Sequence, residues 1–97
     1  MDETLVRVAV DLSGRSYLHY QAPEDLVPIG QFGFELVEEF LRAFSSNANL
    51  NLHVDILHGR NSHHMAEGIF KGLAKALDQA CQIDSRVKGV PSSKGKL

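Results

Sequence analysis

The residues best suited to chemistry are two adjacent histidines, His63 and His64, followed closely by Glu67. Residues three or four apart are neighbours on a helix, so either histidine can approach Glu67. Imidazole and carboxylate groups suit a divalent cation such as Mn²⁺, Zn²⁺ or Fe²⁺. Consecutive residues point about 100° apart around a helix, so the histidines would serve two metals better than one. The spacing is also typical of a solvated first helical turn, and both interpretations stay open on these residues alone.

Basic and hydroxyl side chains elsewhere are candidate anion ligands. Lys71 follows on the same helix, and Arg15 lies at a turn. The polar tail, residues 84–97, contains Ser92 and Lys94 beside glycine and is similar to an anion-binding loop. Taken singly, Lys71 and Arg15 are more typical of surface charges, and Ser92 and Lys94 are more typical of an ordinary polar tail.

Alternating patterns predict three strands. Residues 5–12 and 50–57 alternate polar and apolar side chains, as strands with one buried face do. Residues 16–20 predict another strand, and the Ser-Gly pair at 13–14 is a turn signal. We therefore expect a β-hairpin over residues 5–20.

Two helices are predicted from apolar residues that recur at steps of three and four. The first begins near Gly33 and ends in the turn-forming residues 45–49. The second begins at Asn61 or Ser62 and ends near Cys81. The residues expected to face the core are Leu36, Val37, Phe40, Leu41 and Phe44 in the first helix and Ala66, Phe70, Leu73 and Leu77 in the second.

The element order β-β-α-β-α predicts an α+β fold. We expect a two-layer sandwich, in which a mixed sheet of three to four strands carries both helices on one face. With 97 residues the chain has the size of a single domain. Some ribosomal and ATP-using proteins are similar to this fold, but the net charge of −2 disfavours nucleic-acid binding.

Composition also predicts a location. The lone Cys81 excludes an internal disulfide and favours a reducing compartment. The acidic N-terminus lacks a signal-peptide core, and no apolar run is long enough to cross a membrane. We therefore expect a cytoplasmic protein without a membrane partner.

Six short motifs connect the chain to a known family. In chain order they are Asp11-Leu12-Ser13-Gly14-Arg15, Leu36-Val37-Glu38-Glu39-Phe40, Leu52-His53-Val54, Gly59-Arg60-Asn61-Ser62-His63-His64-x-x-Glu67, Phe70-Lys71 and Pro91-Ser92-Ser93-Lys94-Gly95. Each is weak alone, but the combination resembles the C-terminal half of the imidazoleglycerol-phosphate dehydratases of histidine biosynthesis. The resemblance implies one half of an enzyme built from two similar halves, each a sheet with two helices and its own His-His-x-x-Glu motif. It also implies large symmetric assemblies that share Mn²⁺ sites between subunits.

The resemblance implies roles for individual residues. His63, His64 and Glu67 would be metal ligands, with the histidines binding different Mn²⁺ ions. Glu39 falls where many members have another histidine ligand, and a carboxylate can also bind Mn²⁺. The positions that match the family's phosphate-binding residues are Arg15, Lys71, Ser92 and Lys94.

The implied reaction removes water from imidazole glycerol phosphate to give imidazole acetol phosphate. Mn²⁺, or another divalent transition metal, would act as Lewis acid and template. Glu67, or a carboxylate of another half, would carry the proton.

Nothing in the chain corresponds to the family's N-terminal half. We therefore expect it to form a homodimer or larger assembly through its helix layer, or to pair with a complementary N-terminal half. Turnover by this half alone is expected to be weak or absent. The alternative is an isolated non-catalytic α+β half-domain that self-associates, with or without metal.

Overall fold

The computed structural model describes residues 2–24 and 26–82, so the tail from residue 84 lies outside the described residues. The elements, in chain order, are β1 (Leu5–Asp11), β2 (Tyr17–Gln21), α1 (Glu35–Ala48), β3 (Asn51–His58) and α2 (Ser62–Ala80). The sheet order is β1-β3-β2, with β3 antiparallel to β1 and parallel to β2. The predicted α+β fold with a mixed sheet is confirmed, and the sheet has three strands in the described part of the chain.

The predicted hairpin is wrong, because β3 lies between β1 and β2. The chain does turn after β1, where Gly14 has φ +78°, a conformation that costs a glycine little. The next strand then pairs with β3 instead of returning along β1. The central place goes to the strand with the most deeply buried inner face: Leu52 and Val54 of β3 are fully buried.

Both helices pack on one face of the sheet. Helix α1 contacts β2 and β3, whereas α2 lies mainly against β1. A side chain at Gly72 of α2 would come within 2.8 Å of the Val8 side chain, so the helix approaches β1 closely there. One core cluster joins the inner residues of both helices and of β3. The structure therefore has the two layers that the pattern predicts.

The helices divide their apolar residues between the core and a second surface, which differs from the prediction. In α2 the fully buried Ile69 lies in the core, whereas Phe70, which was expected there, is 38% exposed. In α1, Leu36 and Phe40 are also exposed. Each helix has only one side against the sheet, so its remaining apolar residues point away. We name this second surface the aromatic helix face: the exposed Leu36, Phe40 and Phe70, together with the half-buried Phe44 at its edge, which also packs against the core.

Aromatic rings join the two helices across this face. The Phe40 ring lies edge-on to Phe70 at a centroid distance of 5.4 Å and stacks with Phe44 at 6.1 Å. The aromatic helix face is therefore continuous across both helices.

Helix α1 ends within the turn-forming residues 45–49, as predicted. It continues to Ala48, and the N–H of Asn49, which has φ 52°, then bonds to the Ser45 carbonyl. Within the helix, the side chain of Asn47 donates to the carbonyl of Ala43 at 2.8 Å, which satisfies the amide without breaking the helix. In residues 2–24 and 26–82, no helix has the length and apolar composition needed to cross a membrane.

Candidate metal centre

A polar strip runs along the first turns of α2, as the spacing of its residues predicts. It consists of His63, Glu67 and Lys71. Nε2 of His63 lies 3.6 Å from Oε2 of Glu67, and Nζ of Lys71 lies 2.7 Å from the other oxygen of that carboxylate. Asn61 caps the helix, since its side-chain oxygen accepts the backbone N–H of His64 at 3.1 Å. The strip therefore begins in a helical turn whose start is well defined.

His64 turns away from this strip and pairs with Glu3, which precedes β1. Nδ1 of His64 lies 2.6 Å from Oε1 of Glu3. The other oxygen, Oε2, accepts the backbone N–H groups of Arg60 at 3.0 Å and of Asn61 at 3.3 Å, and the Thr4 hydroxyl at 2.6 Å. Glu3 thus joins the start of β1 to the start of α2 and holds the histidine ring between them.

Glu3 is absent from the sequence-based predictions because 61 positions separate it from His64. The pairing depends on the register in which Leu5 lies opposite His58, after an irregularity between Leu5 and Val6. That register places the residues before β1 beside the turn that leads into α2. A prediction that pairs β1 with β3 would have brought Glu3 close to His64, but the hairpin prediction paired β1 with β2 instead.

Hydrogen bonds keep both carboxylates of this site ionised. The Thr4 hydroxyl, followed by the backbone N–H of Arg60, holds the pKa of Glu3 well below its usual range. The hydrogen bond and charge of Lys71 lower the pKa of Glu67. Both groups are therefore anionic at neutral pH, which is the form that binds a cation.

The two histidines face different surroundings. Their ring centroids are 6.4 Å apart and the ring planes meet at 67°. The His63 side chain is 68% exposed, whereas that of His64 is 36% exposed and is held by Glu3. This divergence follows from adjacent helical positions and suits two separate sites better than one.

The other predicted site residues do not join this group. Glu39 is exposed on α1. In the part of the chain that the structure describes, no three histidine, cysteine or carboxylate side chains converge as a metal site would require. Ser92 and Lys94 lie outside the described residues. The described chain therefore presents ligands in pairs, not as a closed set.

Arg15 lies at the opposite end of the sheet from the histidines. It follows β1, whose last residue, Asp11, pairs with Asn51 at the start of β3, whereas α2 begins beyond the other end of β3 at His58. Seven residue steps of extended strand span about 23 Å. Ser13 fixes the turn, since its hydroxyl accepts the backbone N–H of Arg15 at 3.3 Å. One copy of the chain therefore does not bring this arginine to its own histidines.

A second polar cluster occupies the sheet face away from the helices. Nε2 of His19 lies 2.9 Å from Oδ1 of Asp55, and Arg7 lies 3.5 Å from the other carboxylate oxygen. The His53 ring stacks on His19 at 5.6 Å. The hydrogen bond from His19, assisted by the charge of Arg7, lowers the pKa of Asp55. This cluster ties the three strands together at mid-sheet.

Comparison with known proteins gives consistent matches. The sequence matches the family model of imidazoleglycerol-phosphate dehydratase over residues 1–77. It is 56% identical to the imidazoleglycerol-phosphate dehydratase of a Thermoanaerobacter species and 54% identical to that of Geobacter sulfurreducens. Each alignment covers 100% of this chain and 50% of the relative.

Solved structures agree with these matches. The crystal structure of the Staphylococcus aureus dehydratase superposes with a TM-score of 0.82 at 49% identity, over 87% of this chain and 49% of that one. The Pyrococcus furiosus enzyme superposes with a TM-score of 0.84 at 33% identity, over 100% of this chain and 53% of that one. The chain thus spans about half the length of the curated relatives it matches.

Proposed function

Because the chain belongs to the imidazoleglycerol-phosphate dehydratase family, we propose that it supplies one half of a manganese-dependent site for this dehydration. The site would remove water from imidazole glycerol phosphate to give imidazole acetol phosphate. The observation that carries the proposal is the divergent histidine pair: His63 and His64 lie on one turn and pair with different carboxylates. Such an arrangement suits two metal positions, each completed by groups from another half.

The donor set fits the proposed metal. Neutral imidazoles and ionised carboxylates are ligands that Mn²⁺ accepts, and other divalent transition metals accept them too. His63, His64 and Glu67 would hold the metals, with Glu39 joining from α1. When bound, the metal would supply Lewis-acid chemistry and a template for the substrate's imidazole ring.

Glu67 is proposed first as a ligand and second as a proton carrier. Its carboxylate lies between His63 and Lys71, and the hydrogen bond from Lys71 lowers its pKa. A low pKa keeps a ligand ionised, whereas a general base works best with a pKa near the working pH. A carboxylate from the second half therefore remains the alternative carrier of the proton.

The substrate phosphate is proposed to bind basic and hydroxyl groups of this chain. Lys71 belongs to the polar strip, where it would neutralise the phosphate as well as Glu67. Arg15 would contribute from the far end of the sheet, and Ser92 and Lys94 would contribute from the tail. Because Arg15 is remote from the histidines of its own copy, we propose that each complete site combines two chains.

The aromatic helix face supports association. Leu36, Phe40 and Phe70 are 43%, 48% and 38% exposed, and they form a continuous apolar surface that includes Phe70, the neighbour of Lys71 in the polar strip. An exposed patch of this kind favours burial against another chain. The partner would be a second copy, or a complementary N-terminal half. A cytoplasmic location is proposed from the lone Cys81.

Metal analysis and light scattering of the purified chain test the proposal together. We expect a dimer or larger assembly that contains Mn²⁺ and whose thermal stability rises when Mn²⁺ is added. His64→Ala and Glu67→Ala should abolish that rise, whereas Asp78→Ala, an exposed carboxylate further along α2, should leave it unchanged. A monomer without a metal response would contradict the proposal.

The second candidate function is a non-catalytic half-domain that self-associates. It is favoured by the exposed aromatic helix face together with the absence of a closed ligand set among the described residues. In that case the three variants would assemble equally well and would show the same thermal stability with and without Mn²⁺. Adding imidazole glycerol phosphate then separates a binding site from a purely structural subunit.

A further inference from the structure

The side chain near the polar strip that makes the most hydrogen bonds is Glu3, which has no role in the proposed ligand set. Its carboxylate receives four hydrogen-bond partners: the hydroxyl of Thr4, the backbone N–H groups of Arg60 and Asn61, and the ring of His64. All three partners of Oε2 can donate, and the two backbone groups can only donate. The orientation of this carboxylate is therefore fixed by groups outside the histidine.

That fixed carboxylate decides which nitrogen of His64 carries the proton. An ionised carboxylate only accepts hydrogen bonds, so Nδ1 of His64, 2.6 Å from Oε1 of Glu3, must be the donor. In the neutral ring, the lone pair then lies on Nε2. A metal binds a neutral imidazole through its unprotonated nitrogen, and a hydrogen bond to the other nitrogen sets the ring's direction.

We infer that Glu3 is a positioning residue that holds His64 in the Nδ1–H tautomer and so presents Nε2 as the metal-binding nitrogen. The inference rests on the proposed function for the identity of the metal, but not for the tautomer. His64 is held twice, since Asn61 accepts its backbone N–H at 3.1 Å while Glu3 accepts its ring N–H. His63 has no comparable anchor in the described chain: its ring is 68% exposed and lies 3.6 Å from Glu67.

The substitution Glu3→Gln tests the inference because it keeps the shape of the side chain and inverts the direction of its hydrogen bond to Nδ1 of His64. The backbone N–H groups of Arg60 and Asn61 still require an acceptor, so the amide oxygen takes the place of Oε2. The amide NH₂ then takes the place of Oε1 and donates toward His64. Nδ1 must accept, the proton moves to Nε2, and the metal-binding lone pair is lost.

The experiment records ¹H–¹⁵N long-range correlation spectra of the metal-free, ¹⁵N-histidine-labelled chain at a pH where the rings are neutral. We expect Nδ1–H at His64 in the unsubstituted protein and Nε2–H in Glu3→Gln. The His63 resonances serve as an internal reference and should stay unchanged. Glu24→Gln, an exposed residue before α1, is the matched control and should leave both rings as they are.

Titration with Mn²⁺ alone supplies the second readout. Loss of an outer partner of a metal-binding histidine weakens metal binding by about 10- to 100-fold, and we expect this loss for Glu3→Gln but not for Glu24→Gln. A merely structural role for Glu3 would lower stability without switching the tautomer, and that result would overturn the inference.

The unsubstituted protein decides the matter even if Glu3→Gln does not fold, because Nε2–H at His64 in its spectrum would refute the inference. Failure of the unsubstituted chain to bind Mn²⁺ would instead count against the proposed function. The tautomer spectra are recorded without metal, so the two failures can be told apart.

Discussion

The two ends of β3 differ in how their functional residues are held. The histidine end consists of Glu3, His63, His64 and Glu67. Contacts among the segment before β1, the turn before α2 and α2 itself hold it together. The arginine end, formed by Arg15, rests on one tight turn. About 23 Å of strand separates them. A small phosphorylated substrate cannot reach from one end to the other, so a site that uses both ends must draw on two chains.

The largest expected effect is the loss of substrate binding when a substitution disables either end. His64→Ala and Arg15→Ala should each abolish binding of imidazole glycerol phosphate in the presence of Mn²⁺. When the two variants are unfolded, mixed in equal amounts and refolded together, about a quarter of the sites should recover, because each site takes its two ends from randomly chosen copies. Isothermal titration measures the recovered fraction.

A matched mixture shows whether the recovery has this cause. His64→Ala mixed with Glu67→Ala places both substitutions at the histidine end, so no site regains an intact histidine end. Two results would contradict the claim that each site takes its ends from two chains. One is equal recovery of substrate binding in the two mixtures, and the other is no recovery in either mixture while the unsubstituted chain binds substrate.

Metal binding should depend on one end alone. His64→Ala should weaken Mn²⁺ binding by more than about 100-fold, since removing a ligand exceeds the loss caused by removing its outer partner. Arg15→Ala should leave Mn²⁺ affinity within about twofold, because the arginine is remote from the ligands by seven strand steps. Titration of each variant with Mn²⁺ provides the measurement, and a large loss for Arg15→Ala would show that the ends are not separate.

The aromatic helix face should control the association of chains, and therefore whether the histidine end of one copy meets the arginine end of another. Phe40→Glu places a charge at the centre of this face, where Phe40 contacts both Phe44 and Phe70. We expect about a 30-fold weaker association, as for loss of an interface residue worth about 2 kcal/mol. Light scattering over a concentration series measures the change.

Val27→Glu is the control for that experiment, since Val27 is 62% exposed and lies outside the aromatic helix face. The proposed interface would be refuted if both variants weakened association equally. A loss confined to Phe40→Glu should also prevent the recovery expected in the mixing experiment.

The smallest expected effect concerns the middle of the sheet. The hydrogen bond from His19 lowers the pKa of Asp55, so the folded chain binds this proton less readily than the unfolded chain. The stability from this pair is therefore present above the usual aspartate pKa of about 3.9 and is lost as pH falls through the lower folded value. Asp55→Asn should cost about 1 kcal/mol at pH 7 and much less at pH 3.

Urea unfolding at the two pH values measures this difference. Asp11→Asn, at the exposed end of β1, is the control and should show a smaller change between them. Mn²⁺ affinity should be the same in both variants, because the mid-sheet cluster contacts neither end. A loss of Mn²⁺ binding in Asp55→Asn would show that the mid-sheet cluster is coupled to the histidine end.

Local patterns in the sequence predicted the strands and helices, but they did not predict which strands pair or which side of each helix packs on the sheet. The alternation in β1 and β3, the strand pattern of residues 16–20 and the apolar steps in both helices predicted five elements in the correct order. The hairpin was wrong because a turn signal after β1 says where the chain reverses, not which strand it then joins. Phe70 was misplaced for a related reason, since helical spacing does not show which side of an apolar helix meets the sheet.

The sequence by itself determined the strip of His63, Glu67 and Lys71, because residues four apart on one helix are neighbours whatever the rest of the chain does. It also carried the family resemblance that the comparisons confirm. Only the tertiary structure brought Glu3 to His64, since that contact depends on the register between strands far apart in the chain. The same register sent Arg15 to the opposite end of the sheet. Spacing along one helix is a local property, whereas strand order is set by burial across the whole core.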